Sequence, residues 1–181
     1  MHTLQKPELS DYNQLYRLSL GLIAIIILTA LLVFCGWQWD VPAFTQVAPG
    51  LPTMNPMTAL SFLLASFSFL ILAFPSKSRS LDRLGYFMAA SVLGFATIRL
   101  AGYFIPALAS VDQILYRDQL HAGLPGAFPA RMAFNTALCF VWWGIALLQL
   151  RAAIKANRLI HVLALMIGAV GCCLSLGTSI A

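Results

Sequence analysis

Arg99 is the residue whose type and place most plainly ask for chemistry. It lies in an apolar stretch about two turns before Pro106, where a charge costs at least about 2.5 kcal/mol unless it is paired or wet. Asp40 and Asp112 are the acids placed to pair with it; a side chain snorkelling to a nearby headgroup layer is the structural alternative. A second group of polar residues gathers at two related segments. Residues 54–62 (MNPMTALSF) and 132–140 (MAFNTALCF) stand 78 positions apart and share Met, Thr, Ala, Leu and Phe in five of nine places. Each opens a long apolar run, so Thr58 in the first, and Asn135 and Thr136 in the second with Arg131 just before, fall where a helix begins. Unpaired N–H groups and a positive dipole end would suit an anionic or carbonyl-bearing ligand there. The same threonines can instead bond back to their own helix while the alanines allow close packing.

The elements that must position these residues follow from composition. With 60% apolar and 9% charged residues among 181, a soluble domain would lack polar cover for its surface. The chain reads as one all-α integral membrane domain. Windows long enough to cross about 30 Å of hydrocarbon fall at residues 18–39, 57–74, 86–105, 132–150 and 159–181, predicting a polytopic bundle of five transmembrane helices. The repeated segment makes the second and fourth spans equivalent, an internal two-helix repeat that would build one site between its copies.

Cations sort the connections. Lys6 and Arg17 precede the first span, Lys77, Arg79 and Arg83 follow the second, and Arg151, Lys155 and Arg158 follow the fourth. Such enrichment marks the cytoplasmic side, so the N-terminus is expected inside and the C-terminus in the periplasm. The net charge of +5 then reflects topology and anionic lipid, and nucleic-acid binding is not expected. The apolar run after Arg17 is too long for an export signal, and Phe34 occupies the place where a lipoprotein box needs a small residue. Cys35, Cys139, Cys172 and Cys173 show no metal-ligand spacing and are expected to pack as small apolar residues. His121 and His161 fall on opposite sides of the membrane, which argues against a haem held between them.

Two connections face outward. The first, residues 40–56, follows Trp37 and Trp39, an interfacial aromatic pair. The second, residues 106–130, contains a piece at 111–120 in which Val111, Ile114, Leu115 and Leu120 share a face apart from Asp112, Gln113, Arg117 and Asp118. That pattern predicts a short surface helix with the apolar group inward.

Gly36-Trp37, Asp40-Val41-Pro42, Pro49-Gly50 and the segment 54–62, then Gly102-Tyr103, residues 111–115 and Arg131-Met132 leading into Asn135-Thr136-Ala137-Leu138, resemble the multi-pass membrane sensor region at the N-terminus of bacterial sensory histidine kinases and diguanylate cyclases. The resemblance covers most of the chain. It implies a bacterial inner membrane and a non-catalytic signal-input module that detects a stimulus at the outer face and transmits it by helix repacking. A ligand, a lipid state or a quinone would serve as stimulus; no cofactor is expected. Two departures stand against it. Similar proteins continue into a further span and cytoplasmic output modules, whereas no kinase or cyclase motif occurs here, and Phe134 replaces a proline usual at the second copy. The ligand-binding candidates are Thr58, Arg99, Arg131, Asn135 and Thr136, with no catalytic or metal-binding residue. An accessory subunit of a larger membrane complex, docked through small-residue faces at Gly94, Gly144, Gly168 and Gly171, is the alternative. Homo-oligomers or a larger membrane partner are expected on either view. A transporter would show more intramembrane charge or broken helices.

Overall fold

The computed structural model describes residues 9–45, 53–74, 78–123 and 130–155, which are helical with no strand among them. In order they form α1 (Leu9–Gln38), α2 (Pro42–Thr45), α3 (Pro56–Ala73), α4 (Arg79–Ala101), α5 (Arg117–Gly123) and α6 (Phe134–Lys155), with 3-10 turns Pro106–Leu108 and Val111–Gln113 between α4 and α5. Among the described residues, four helices are long and apolar enough to cross a membrane, over Arg17–Gln38, Pro56–Ala73, Arg79–Ala101 and Phe134–Ile154. The chain is therefore a membrane protein. The fifth expected span, 159–181, lies outside the described residues.

Local chemistry sets the helix ends. Asn55 is extended (φ −64°, ψ 136°) and its side chain accepts the Met57 N–H, while Pro56 fills the first turn, where no donor is needed. α4 starts at Arg79, well before the apolar window, with Asp82 in its first turn where negative charge suits the dipole. It stops at Ala101, before that window ends, because Gly102 caps it and turns its N–H back to Ile98 and Leu100. α6 starts at Phe134, which leaves the backbone of Met132 outside the helix and available to other partners.

α3, α4 and α6 pack on one another, and α1 lies against α3 and α2. The two related segments meet inside this group. Phe62 and Phe140 contact edge to face at 4.8 Å, Trp143 joins both at 6.0 and 6.1 Å, and Ala59 and Ala137 are fully buried. Gly144 permits close approach of α6 to α4: a Cβ there would lie 2.7 Å from that of Leu93, whereas Gly94 faces open space. At one end of the bundle Arg151 of α6 pairs with Asp82 of α4 and reaches the Phe74 carbonyl after α3. Cys35 is a free thiol. Cys139 is disulfide-bonded, a correction to the packing role expected of it; its partner is not among the described residues.

The expected surface helix over 111–120 is broken. Tyr116 takes a left-handed conformation (φ 55°) between the second 3-10 turn and α5. Its polarity is also reversed in the first half, where Asp112 and Gln113 are buried and Ile114 is exposed. The cause is the pairing of Asp112 with Arg99.

Candidate functional site

The end of the bundle opposite Arg151 carries two corners, each formed where one long helix hands over to the next. In the first, Gly36 lies under α2: a Cβ there would meet Thr45 Cγ2 at 2.8 Å and Phe44 Cβ at 2.9 Å. The neighbouring Trp37 donates Nε1–H to the Met54 carbonyl at 3.0 Å. The Met54 N–H donates to the Thr45 carbonyl at 2.7 Å.

The second corner uses the same residue types. Gly102 is pressed by the next turn, and a Cβ there would sit 2.5 Å from the Leu108 carbonyl oxygen. The adjacent Tyr103 donates its hydroxyl to the Met132 carbonyl at 2.7 Å. Here the Met132 N–H donates to a side chain, Asp112 Oδ2, at 2.8 Å. That carboxylate oxygen also accepts Arg99 Nε–H at 2.8 Å, both residues 0% exposed, and Arg99 Nη2 donates to the Met132 carbonyl at 3.1 Å. The backbone N–H and carbonyl of one residue, Met132, thus complete a ring with a buried ion pair. The snorkelling alternative for Arg99 is excluded by this geometry, and of the two acids considered, Asp112 is the partner while Asp40 is exposed.

Arg131 joins from α6's side. Its guanidinium lies 4.1 Å from the Tyr103 ring centroid, Arg99's lies 4.5 Å from it, and Arg131 Nη2 donates to the Gly102 carbonyl at 3.0 Å. Cations against an aromatic ring are favourable, the more so when desolvated. Phe134 closes the group with an edge contact to Tyr103 at 5.3 Å.

Asn55 links this corner to α3. Besides capping that helix, its buried side chain donates Nδ2–H to the carbonyls of Asp112 (3.0 Å) and Ala130 (2.9 Å). Ala130 is held left-handed at φ 50°, which sets the path into Arg131 and Met132. The three remaining candidates stand apart from the ion pair. Thr58 is buried in the first turn of α3, while Asn135 accepts the Thr136 N–H at 2.9 Å within the first turn of α6. The open N–H groups expected at α3 are in use: Met57 bonds Asn55 Oδ1, and Thr58 and Ala59 bond the Asn55 carbonyl. Asn55 and Tyr103 were legible as a cap and as the aromatic after a glycine, and neither signal pointed to the Arg99 cluster.

Burying this pair is costly, and the ring of donors only partly offsets it. Among the described residues, Arg99 Nη1 and Asp112 Oδ1 have no hydrogen-bond partner. In a low-dielectric surrounding each such unfilled position is costly, and a further donor or acceptor there would be bound strongly. Comparison with protein-family models, with curated proteins and with solved structures finds no match to this chain. What the corner can do is therefore a matter of its own chemistry.

Proposed function

We propose that the chain is a non-catalytic signal-input module of a bacterial inner membrane, with the Arg99–Asp112 corner as its responsive element at the outer face. The observation that supports this reading is the buried pair itself. It joins α4, the following connection and the approach to α6 at the backbone of Met132, and Asn55 adds α3. A stimulus that competes for Arg99 or Asp112 would release several helices at once, and the helices would carry the change to the opposite end. A ligand, a lipid state or a quinone could act this way, with Arg131 adjoining the pair across the Tyr103 ring and Thr58, Asn135 and Thr136 at the neighbouring helix starts. Five spans, a duplicated helix pair and a cytoplasmic N-terminus complete the proposal. Kinase or cyclase activity would belong to a partner or to sequence beyond this chain.

An accessory subunit is the second reading, favoured by two observations. α1 leaves Leu18, Leu22, Ile25, Leu28, Leu31 and Leu32 exposed, and Gly94 is open to close approach.

Intact-mass and proteomic measurement of the protein purified from native membranes in mild detergent separates the two. Recovery of a longer chain bearing a kinase or cyclase, or of such an enzyme as a stoichiometric partner, supports the sensor. A stoichiometric complex with no signalling enzyme would replace it with the accessory subunit.

A further inference from the structure

The connection leaving α4 changes polarity at Tyr116. Before it, Phe104 (79%), Ile105 (48%) and Ile114 (69%) are exposed while Asp112 (0%) and Gln113 (3%) are buried. After it, Arg117, Asp118 and Gln119 are exposed and Leu120 is buried. The second pattern is that of a segment in water. The first is its inverse, and large apolar side chains turned outward around a buried polar interior suit an apolar surrounding.

Three further observations agree. From Leu84, the first residue after Arg83, to Ala101 the helix carries no charge apart from the buried Arg99, its Ser91 and Thr97 hydroxyls bond back to the helix, and at 1.5 Å per residue it spans about 27 Å. Residues just past Ala101 therefore fall near the edge of a hydrocarbon core about 30 Å thick. The exposed side of α4, with Phe87 and Ile98, leads directly to Phe104 and Ile105, so the membrane-facing surface continues into the connection. The backbone is also provided for. N–H groups of Phe104, Ile105, Leu108, Ala109 and Gln113 bond nearby carbonyls, and the Asp112 carbonyl accepts from Asn55. Irregular chain at membrane depth must be satisfied within the protein in this way.

We propose that residues 104–114 are seated in the bilayer, at the boundary of acyl chains and headgroups, with Phe104, Ile105 and Ile114 against lipid, and that the chain passes into water at Tyr116. The partner of this surface is lipid, not a second copy of the chain. The proposal stands on the membrane character of the protein and is independent of the sensing role.

Placing p-benzoylphenylalanine at position 87, 104, 114 or 119, in otherwise unchanged protein reconstituted into phosphatidylethanolamine–phosphatidylglycerol vesicles, tests it. Photolysis is followed by mass spectrometry of peptide adducts. Lipid adducts at 104 and 114 at levels within about threefold of the control at 87, an exposed position inside the apolar stretch of α4, and at least tenfold fewer at 119, are expected. Dimer cross-links at 104 and 114 in place of lipid adducts would overturn the proposal in favour of self-association. Equal adduct levels at 114 and 119, or none at 104 and 114, would overturn it too. Hydroxyl-radical footprinting of the unsubstituted protein in the same vesicles supplies a check free of any variant: Phe104 protected as well as Phe87 supports the placement, and Phe104 oxidised freely defeats it.

Discussion

The corner at Gly36-Trp37 and the corner at Gly102-Tyr103 perform one task with different chemistry. In each, a glycine admits the following turn at close range and the next residue, an aromatic, donates to a methionine carbonyl ahead of a long helix. The methionine N–H then finds a backbone carbonyl in the first corner and a carboxylate in the second. A carbonyl acceptor is neutral and fixed by the chain. A carboxylate brings a charge that must be matched, and Arg99 matches it from inside α4. The difference teaches where a response would reside: the first corner is a closed joint, while the second holds an ion pair whose desolvation is only partly offset.

The largest contrast should appear when that pair is broken. Arg99→Met leaves Asp112 buried and uncompensated, and should lower stability by about 3–5 kcal/mol. Asp112→Leu should do the same, while the double variant should recover most of the loss because two uncharged side chains need no partners. Reversible unfolding in bicelles measures all three. Single variants as stable as the parent would mean that the second corner is as neutral in effect as the first.

Asn55 comes next. Asn55→Ala removes an N-cap worth about 0.5–2 kcal/mol and leaves the Asp112 and Ala130 carbonyls without their donor, so a total of about 2–4 kcal/mol is expected. Asn55→Asp keeps the capping oxygen but sets a buried carboxylate oxygen against the Asp112 and Ala130 carbonyls in place of the donor, so it too should be destabilising. If it is as stable as the parent, the two corners are not coupled through α3, and the comparison between them becomes one of independent joints.

Much of this was readable from residue types, and the exceptions share a cause. An arginine inside an apolar stretch demanded a partner, and Asp112 was one of two acids within reach. The matched segments supply the buried Ala59 and Ala137 and the Phe62–Phe140 contact at the centre. What periodicity misread was residues 111–120, because it assumes water on the polar face. Here Arg99 draws Asp112 inward and turns Ile114 out, so tertiary pairing overrides the pattern. Helix N-terminal N–H groups misled for a similar reason: Asn55 already occupies them. Its amide reaches residues 57 and 75 positions away, and no local pattern encodes contacts that distant.

The glycines offer a graded test. Gly102→Ala would drive a Cβ into the Leu108 backbone oxygen, whereas Gly36→Ala would meet mainly the side chains of Thr45 and Phe44. Overpacking of this kind costs about 1–3 kcal/mol, and the backbone clash should lie at the upper end because a carbonyl cannot rotate away. Gly94→Ala, with nothing nearby, should instead be neutral or stabilising by up to about 1 kcal/mol through helix propensity. Thermal unfolding in one detergent ranks the three. The order Gly102, Gly36, Gly94 supports two pressed corners, and an equal effect at all three would dissolve the parallel.

The smallest effect discriminates most finely, because it removes the same kind of bond from both corners. Trp37→Phe leaves the Met54 carbonyl without its side-chain donor, and should cost about 1–2 kcal/mol from the lost bond and the smaller ring. Tyr103→Phe removes a shorter hydrogen bond, yet Arg99 Nη2 still donates to the Met132 carbonyl, so the cost should stay below about 1 kcal/mol. The aromatic is therefore the principal donor in the neutral corner and an auxiliary in the charged one. Repeating Tyr103→Phe in the Arg99→Met background makes the distinction sharper: with both donors gone, the hydroxyl's loss should cost about as much as the indole's. Should the two substitutions remain additive, the Met132 carbonyl is not shared between Tyr103 and Arg99, and the second corner holds its ion pair by Asp112 and the Met132 N–H alone.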